Sequence, residues 1–277
     1  MSSSEVLLGI RTSPRPAYLA LAGAAIQRGI TYRATRLLSM LTSATFVAIQ
    51  WFLWKSVFAV QATVGAFSWS EMQTYVVLVF AINALLPTDY ELALYNRIKD
   101  GTVAIDLARP LDFQWSQLAT AAGVAVVEII FRGTAILLAA AFLLDVALPP
   151  SAAQALLFAA SVLLGFLAKF LLAYLVGLCC FWLLNVMGLQ WMRAAITNIL
   201  SGAAVPLTLL PGGLREVALH SPFAGMVFVP TAIYLGQLSG ADAVRALATQ
   251  AFWVVLLWFL ARRMWGFCLR RLVVQGG

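Results

Sequence analysis

Three ionisable residues lie deep within the apolar runs of this chain: Glu128, Arg132 and Lys169. Glu128 and Arg132 stand four apart, in the order that lets a carboxylate meet a cation one helical turn later. Lys169 stands in the next apolar run. Ionisable groups in such surroundings are costly, and they either pair to lock helices together or mark a path that switches with conformation. Both readings stay open at this point. Other chemistry has no residues to carry it. The three lysines, Lys55, Lys99 and Lys169, lack the glycine-rich loop that cradles nucleotide phosphates. Neither His-Glu-x-x-His nor Gly-x-Ser-x-Gly occurs, and His220 is the single histidine. The apolar runs hold no paired aspartates. Cys179, Cys180 and Cys268 form no disulfide framework or metal spacing, so three reduced thiols and no metal site are expected.

The elements that must position these residues follow from composition. Of 277 residues, 62% are hydrophobic and 10% charged, with a mean hydropathy of +0.92. Soluble domains are about a quarter charged, so 18 Lys+Arg and 11 Asp+Glu cannot cover a soluble surface of this size. A soluble enzyme, a disordered chain and a disulfide-stapled secreted domain are excluded. A polytopic membrane protein remains. The net charge of +7 then reflects cytoplasmic loops rather than a nucleic-acid partner.

A span needs about 20 mostly apolar residues. Six such runs are read at 37–60, 72–90, 115–144, 152–184, 189–206 and 243–265. The polar start carries Arg11 and Arg15, and a cleaved signal peptide would place its apolar core earlier. An interfacial helix over 17–36 fits better, with Arg28, Arg33 and Arg36 toward head groups. Residues 1–36 thus form a cytoplasmic start with an amphipathic helix, 37–265 a six-helix membrane domain, and 266–277 a basic cytoplasmic tail. Residues 1–36, 91–114, 185–193 and 262–277 hold 13 of the 18 basic residues. The positive-inside rule then puts both termini in the cytoplasm. On span four, Ser161-x-x-x-Gly165 and Ala173-x-x-x-Gly177 are spacings suited to close helix packing.

Two connections are more than turns. Residues 206–242 hold Pro206, Pro211, Pro222, Pro230 and Gly212-Gly213, yet stay apolar. Short helices dipping back into the outer leaflet would suit them, since irregular backbone at depth must be covered by protein. The loop 91–114 mixes charge with apolar residues. Leu92, Tyr95 and Ile98 recur at helical spacing, Gly101 is a helix stop, and residues 103–107 form a second turn before Pro110. Leu92, Tyr95, Ile98, Ile105 and Leu107 read as a knob for a partner protein, with Arg97, Lys99, Asp100 and Asp106 as its polar rim.

Ile98-Lys99-Asp100-Gly101, followed by Arg109-Pro110-Leu111-Asp112, resembles the signature loop of ABC-2 type transporter permeases, in the branch of ABC-2 family transporter proteins. Thr31-Tyr32-Arg33, Gln50-Trp51-Phe52-Leu53-Trp54, Ser201 through Pro211 and Phe223 through Gly236 are similar in the same order, over about residues 28–270. Asp106 departs from the pattern, which has a more apolar residue there. The resemblance implies an all-α integral membrane protein, like the type V exporters. It would have six transmembrane helices, an N-terminal elbow helix, a cytoplasmic coupling helix and re-entrant extracellular helices. It implies no catalysis on this chain and no cofactor of its own, with ATP and Mg on separate ABC ATPase subunits. A second permease chain, identical or different, would complete a dimer in the bacterial cytoplasmic (inner) membrane, exporting a hydrophobic or amphiphilic substrate. Tyr95, Arg97, Ile98, Lys99, Asp100, Gly101, Asp106, Arg109 and Pro110 would form the ATPase-coupling loop. The competing reading is a self-contained secondary transporter using Glu128, Arg132 and Lys169 for ion coupling. It is weakened by the absence of visible internal repeats.

Overall fold

A computed structural model of the chain describes residues 14–31, 33–85, 90–143, 148–183 and 185–275. The polar start before residue 14, the Pro87 end of the second expected span and Leu144 at the end of the third lie outside the described residues. Apart from one isolated bridge between Val64 and Phe67, the regular structure described is helical.

The stretch 17–36, expected as one interfacial helix, falls on two helices. Helix α1 (Pro14–Thr31) opens on Pro14 and Pro16, whose missing N–H groups cost nothing in a first turn. Helix α2 (Arg33–Phe58) follows and opens the first long apolar stretch. Helix α3 (Trp69–Asn83) starts at a capping box, in which Ser68 and Glu71 satisfy each other's backbone N–H. Helices α4 (Tyr90–Lys99) and α5 (Val103–Leu107) form the charged loop. Helix α6 (Phe113–Glu128) is capped by Asp112, whose carboxylate accepts from the Trp115 amide at 3.0 Å. It continues through a π turn (Ile129–Gly133) into α7 (Thr134–Leu143). Helix α8 (Ala152–Leu178) begins at the Ser151 cap, and α9 (Met187–Leu200) follows. The proline-rich region folds as α10 (Gly212–His220), α11 (Phe228–Tyr234) and 3₁₀ turns at Leu207–Leu209 and Ala224–Met226. Helix α12 (Gly240–Gln275) is the longest.

Among the described residues, four stretches are long and apolar enough to cross a membrane: Arg36–Phe58, Phe113–Ala141, Ala152–Phe181 and Gly240–Arg270. They match the first, third, fourth and sixth expected spans. In the second and fifth places stand α3 and α9, with 15 and 14 residues. At 1.5 Å per residue each rises only about 20 Å, short of the roughly 30 Å hydrocarbon core. Helix α9 stops early because Gly202 turns the chain at φ +84°, and Pro206 follows.

Helix α8 is the axis of the core. Phe170, Leu171, Ala173, Tyr174 and Leu178 are fully buried there, against α4 and α12. Both small-residue spacings lie at close contacts. A Cβ at Gly165 would sit 2.9 Å from the Gly225 carbonyl oxygen, and one at Gly177 would sit 2.7 Å from Leu94 Cδ2. Gln250 of α12 closes this region: its amide accepts from the Ser161 hydroxyl at 2.9 Å and donates to the Ser161 and Gly225 carbonyls. Without such partners a buried amide would be strongly destabilising. Near the other end, Phe113 and Trp265 stack 4.1 Å apart.

Candidate functional site

The charged loop is a helix–glycine–helix. Helix α4 ends where the Gly101 amide donates back to the Ile98 carbonyl at 3.2 Å. Gly101 has φ +72°, which a side chain makes costly, although nothing lies within 4 Å of where its Cβ would stand. Backbone shape, not space, demands glycine here. Leu94 of α4 and Val103 of α5 are buried on the inner side, and Ile98 packs against the same core. Ile98 therefore does not belong to an outward knob as expected, because the i, i+4 pair Leu94 and Ile98 faces inward together. Ile105 and Leu107 do face outward, at 62% and 38% exposure. Tyr95 is half-buried beneath the Lys99 ammonium. Lys99, Asp100, Arg109 and Pro110 are exposed.

Asp106, the departure from the family pattern, has a partner set of its own. Its carboxylate pairs with Arg97 of α4 and lies 3.7 Å from the Arg109 guanidinium. Burial lowers the Arg97 pKa from its ordinary value, but a guanidinium stays charged in proteins. Two further ion pairs fasten the loop to the helices around it. Glu91, fully buried in α4, pairs with Arg193 of α9. Asp112, before α6, pairs with Arg262 of α12, and its amide donates to the Tyr18 hydroxyl of α1.

Glu128 ends α6 almost fully buried, at 2% exposure. It pairs with Arg132, 2.9 Å away in the π turn, as the spacing suggested. It also pairs with Arg36 from the start of α2. Arg36 was expected at head groups; instead it turns inward, and its Nε donates to the Gly29 carbonyl at 3.2 Å. Helix α1 makes this possible by lying against α6, where a Cβ at Gly123 would strike the Ala22 carbonyl oxygen. Lys169 stands apart from this cluster. Its ammonium donates to the Asn83 side-chain oxygen at 2.8 Å, and no carboxylate lies in ion-pair range among the described residues. Arg36, Asn83 and the Glu91–Arg193 pair were missed in the sequence because each depends on contacts between distant segments.

Two clefts flank Arg132. The first, about 900 Å³ between α1, α2, α4 and α6, takes its charge from Arg28, Arg36, Arg97, Arg109 and Arg132, opposed by Asp106 and Glu128. The second, about 490 Å³ between α2, α3, α8 and α9, is lined by Arg132, Lys169 and Arg193 with no carboxylate. Polar groups such as Thr42, Asn83 and Asn198 complete it. In the first cleft both carboxylates are engaged by arginines: Glu128 by Arg36 and Arg132, Asp106 by Arg97 and Arg109.

No curated protein matches the chain. The family described as ABC-2 family transporter protein matches residues 44–276, from within α2 to the end of α12. That match covers most of the sequence and all four long apolar stretches but for the first turns of α2, so the chain belongs to the ABC-2 family transporter proteins, a family of membrane transport components.

Proposed function

We propose that this chain is the permease subunit of an ATP-binding cassette exporter, moving a hydrophobic or amphiphilic substrate with ATP hydrolysed on a separate subunit. The observation that carries the reading is the α4–Gly101–α5 loop. Leu94 and Val103 anchor it inward while Ile105 and Leu107 stand exposed at its outer side. Apolar anchors of that kind usually dominate interface energy. ATP and Mg would sit on the ATPase subunit, since this chain has no glycine-rich phosphate loop. In this reading α3 and α9 are the cores of the second and fifth spans, and α1 is the elbow helix. Residues 206–242 re-enter the outer leaflet, both termini are cytoplasmic, and a second permease chain completes the complex in the inner membrane.

The loop can work as a lever. Closure of the ATPase subunits would press on Ile105 and Leu107, and the Arg97–Asp106 pair would carry the push from α5 to α4. From α4 it passes to α9 through Glu91–Arg193 and to α8 through Leu94 on Gly177. The Asp112–Arg262 pair joins α6 and α12 to the same frame. Affinity purification of the native complex tests the docking step. The wild-type chain should carry ATPase subunits with it, and Ile105→Asp with Leu107→Asp should lose them while still inserting. Full retention in the double variant would contradict the docking surface.

A further inference from the structure

We propose that the arginine-lined cleft between α1, α2, α4 and α6 binds the net-anionic, phosphate-bearing headgroup of an amphiphile. This goes beyond the transport reading, which names no charge on the substrate. Five guanidiniums line the cleft against two carboxylates, and both carboxylates are already shared. Glu128 serves Arg36 and Arg132, while Asp106 serves Arg97 and Arg109. Each guanidinium carries five N–H donors, so donors exceed the acceptors offered to them. Arg28 is exposed, gives its Nε to the Ala24 carbonyl, and has no carboxylate partner among the described residues. An excess of cations held in a partly enclosed cleft attracts and concentrates an anion. Guanidinium forks match the oxygens of a phosphate two at a time.

The remaining lining fits the rest of such a molecule. Leu21, Ala24 and Val124 give an apolar wall beside the arginines, and about 900 Å³ is the size of a small-molecule site. The second cleft begins on the far side of Arg132 and is lined by cations without carboxylates. Of its three cations, Arg132 and Arg193 are paired with Glu128 and Glu91, and Lys169 adds a positive charge next to the first cleft. If the charged loop faces the cytoplasm, as the transport reading has it, the amphiphile comes from the inner leaflet.

Binding is measured on the full purified chain without any ATPase, so its failure leaves the transport reading standing. Delipidated protein is titrated with phosphatidylglycerol, phosphatidylcholine or inorganic phosphate while thermal unfolding is followed. Phosphatidylglycerol should stabilise the chain far more than the other two. Arg28→Gln, at an exposed side chain without a carboxylate partner, should weaken phosphatidylglycerol binding about tenfold, as expected for one lost charge-assisted hydrogen bond. Arg245→Gln, away from the cleft, should leave it unchanged. Equal stabilisation by both lipids, equal stabilisation by inorganic phosphate alone, or an Arg28→Gln affinity equal to wild type would each overturn the proposal.

Discussion

Arg97 of α4 and Asp106 of α5 form an ion pair across the Gly101 break. Nine residues apart in sequence, they tie the two arms of the loop into one unit. The pair is partly exposed, with 37% and 14% side-chain exposure, so its contribution to stability should be modest, about 0.2–1 kcal/mol. Asp106→Asn should therefore barely move the unfolding temperature while loosening α5. The Arg97→Asp, Asp106→Arg double exchange should recover part of the loss. A double-mutant cycle on ATPase-subunit retention measures the coupling, and strict additivity would show that the pair holds nothing together.

The Glu128 cluster should behave differently because its carboxylate is buried. Glu128→Gln leaves Arg36 and Arg132 without their shared counter-charge, and breaking such a pair costs roughly 3–5 kcal/mol. Arg132→Gln should cost less, since Arg36 still neutralises Glu128. Thermal unfolding in detergent gives the order directly. A wild-type midpoint in Glu128→Gln together with lost transport would mark Glu128 as a path residue instead.

Close packing on α8 offers a third test. At Gly165 an added methyl meets the backbone of Gly225 and Met226, which cannot swing aside as a side chain tip can. Gly165→Ala should destabilise by about 1–3 kcal/mol, the usual range for overpacking. At Gly188 nothing lies within 4 Å of a Cβ, and Gly188→Ala should stabilise the helix slightly, by at most about 1 kcal/mol. Equal midpoints for the two variants would contradict the packing described for α8.

Local relationships were readable in the sequence and distant ones were not. The Glu128–Arg132 pair follows from helical spacing, and the Gly101 break from the residue type at the end of a helical pattern. The direction of Ile98 also lay within reach, since Leu94 four residues earlier shares its face, but the spacing of Leu92 and Tyr95 competes with it. Arg36 could not be placed, because its approach to Glu128 depends on α1 lying along α6. The partner of Asp106 was hidden for a similar reason: Arg97 comes near only once Gly101 turns the backbone. Lys169 stands in an apolar run like Glu128, yet nothing in the sequence says that the side chain of Asn83 takes its ammonium.

Orientation is open to direct labelling. If the 13 basic residues mark the cytoplasmic side, a cysteine at Gly212 should react with an impermeant reagent on intact cells. One at Asp100 should react only after permeabilisation. Both sites are exposed, so failure to label would not come from burial. The reverse pattern would invert the topology.

In the proposed function, the exposed side of the helix–glycine–helix loop transmits work from an ATPase. The most direct measurement of this step is substrate-stimulated ATP hydrolysis, with transport, in liposomes holding the chain and its ATPase subunit. Gly101→Val strains the φ +72° turn without filling any packed space, and Ile105→Asp removes an exposed apolar anchor. Both should leave membrane insertion intact while abolishing stimulation and transport. Wild-type stimulation and transport in both variants would contradict the account.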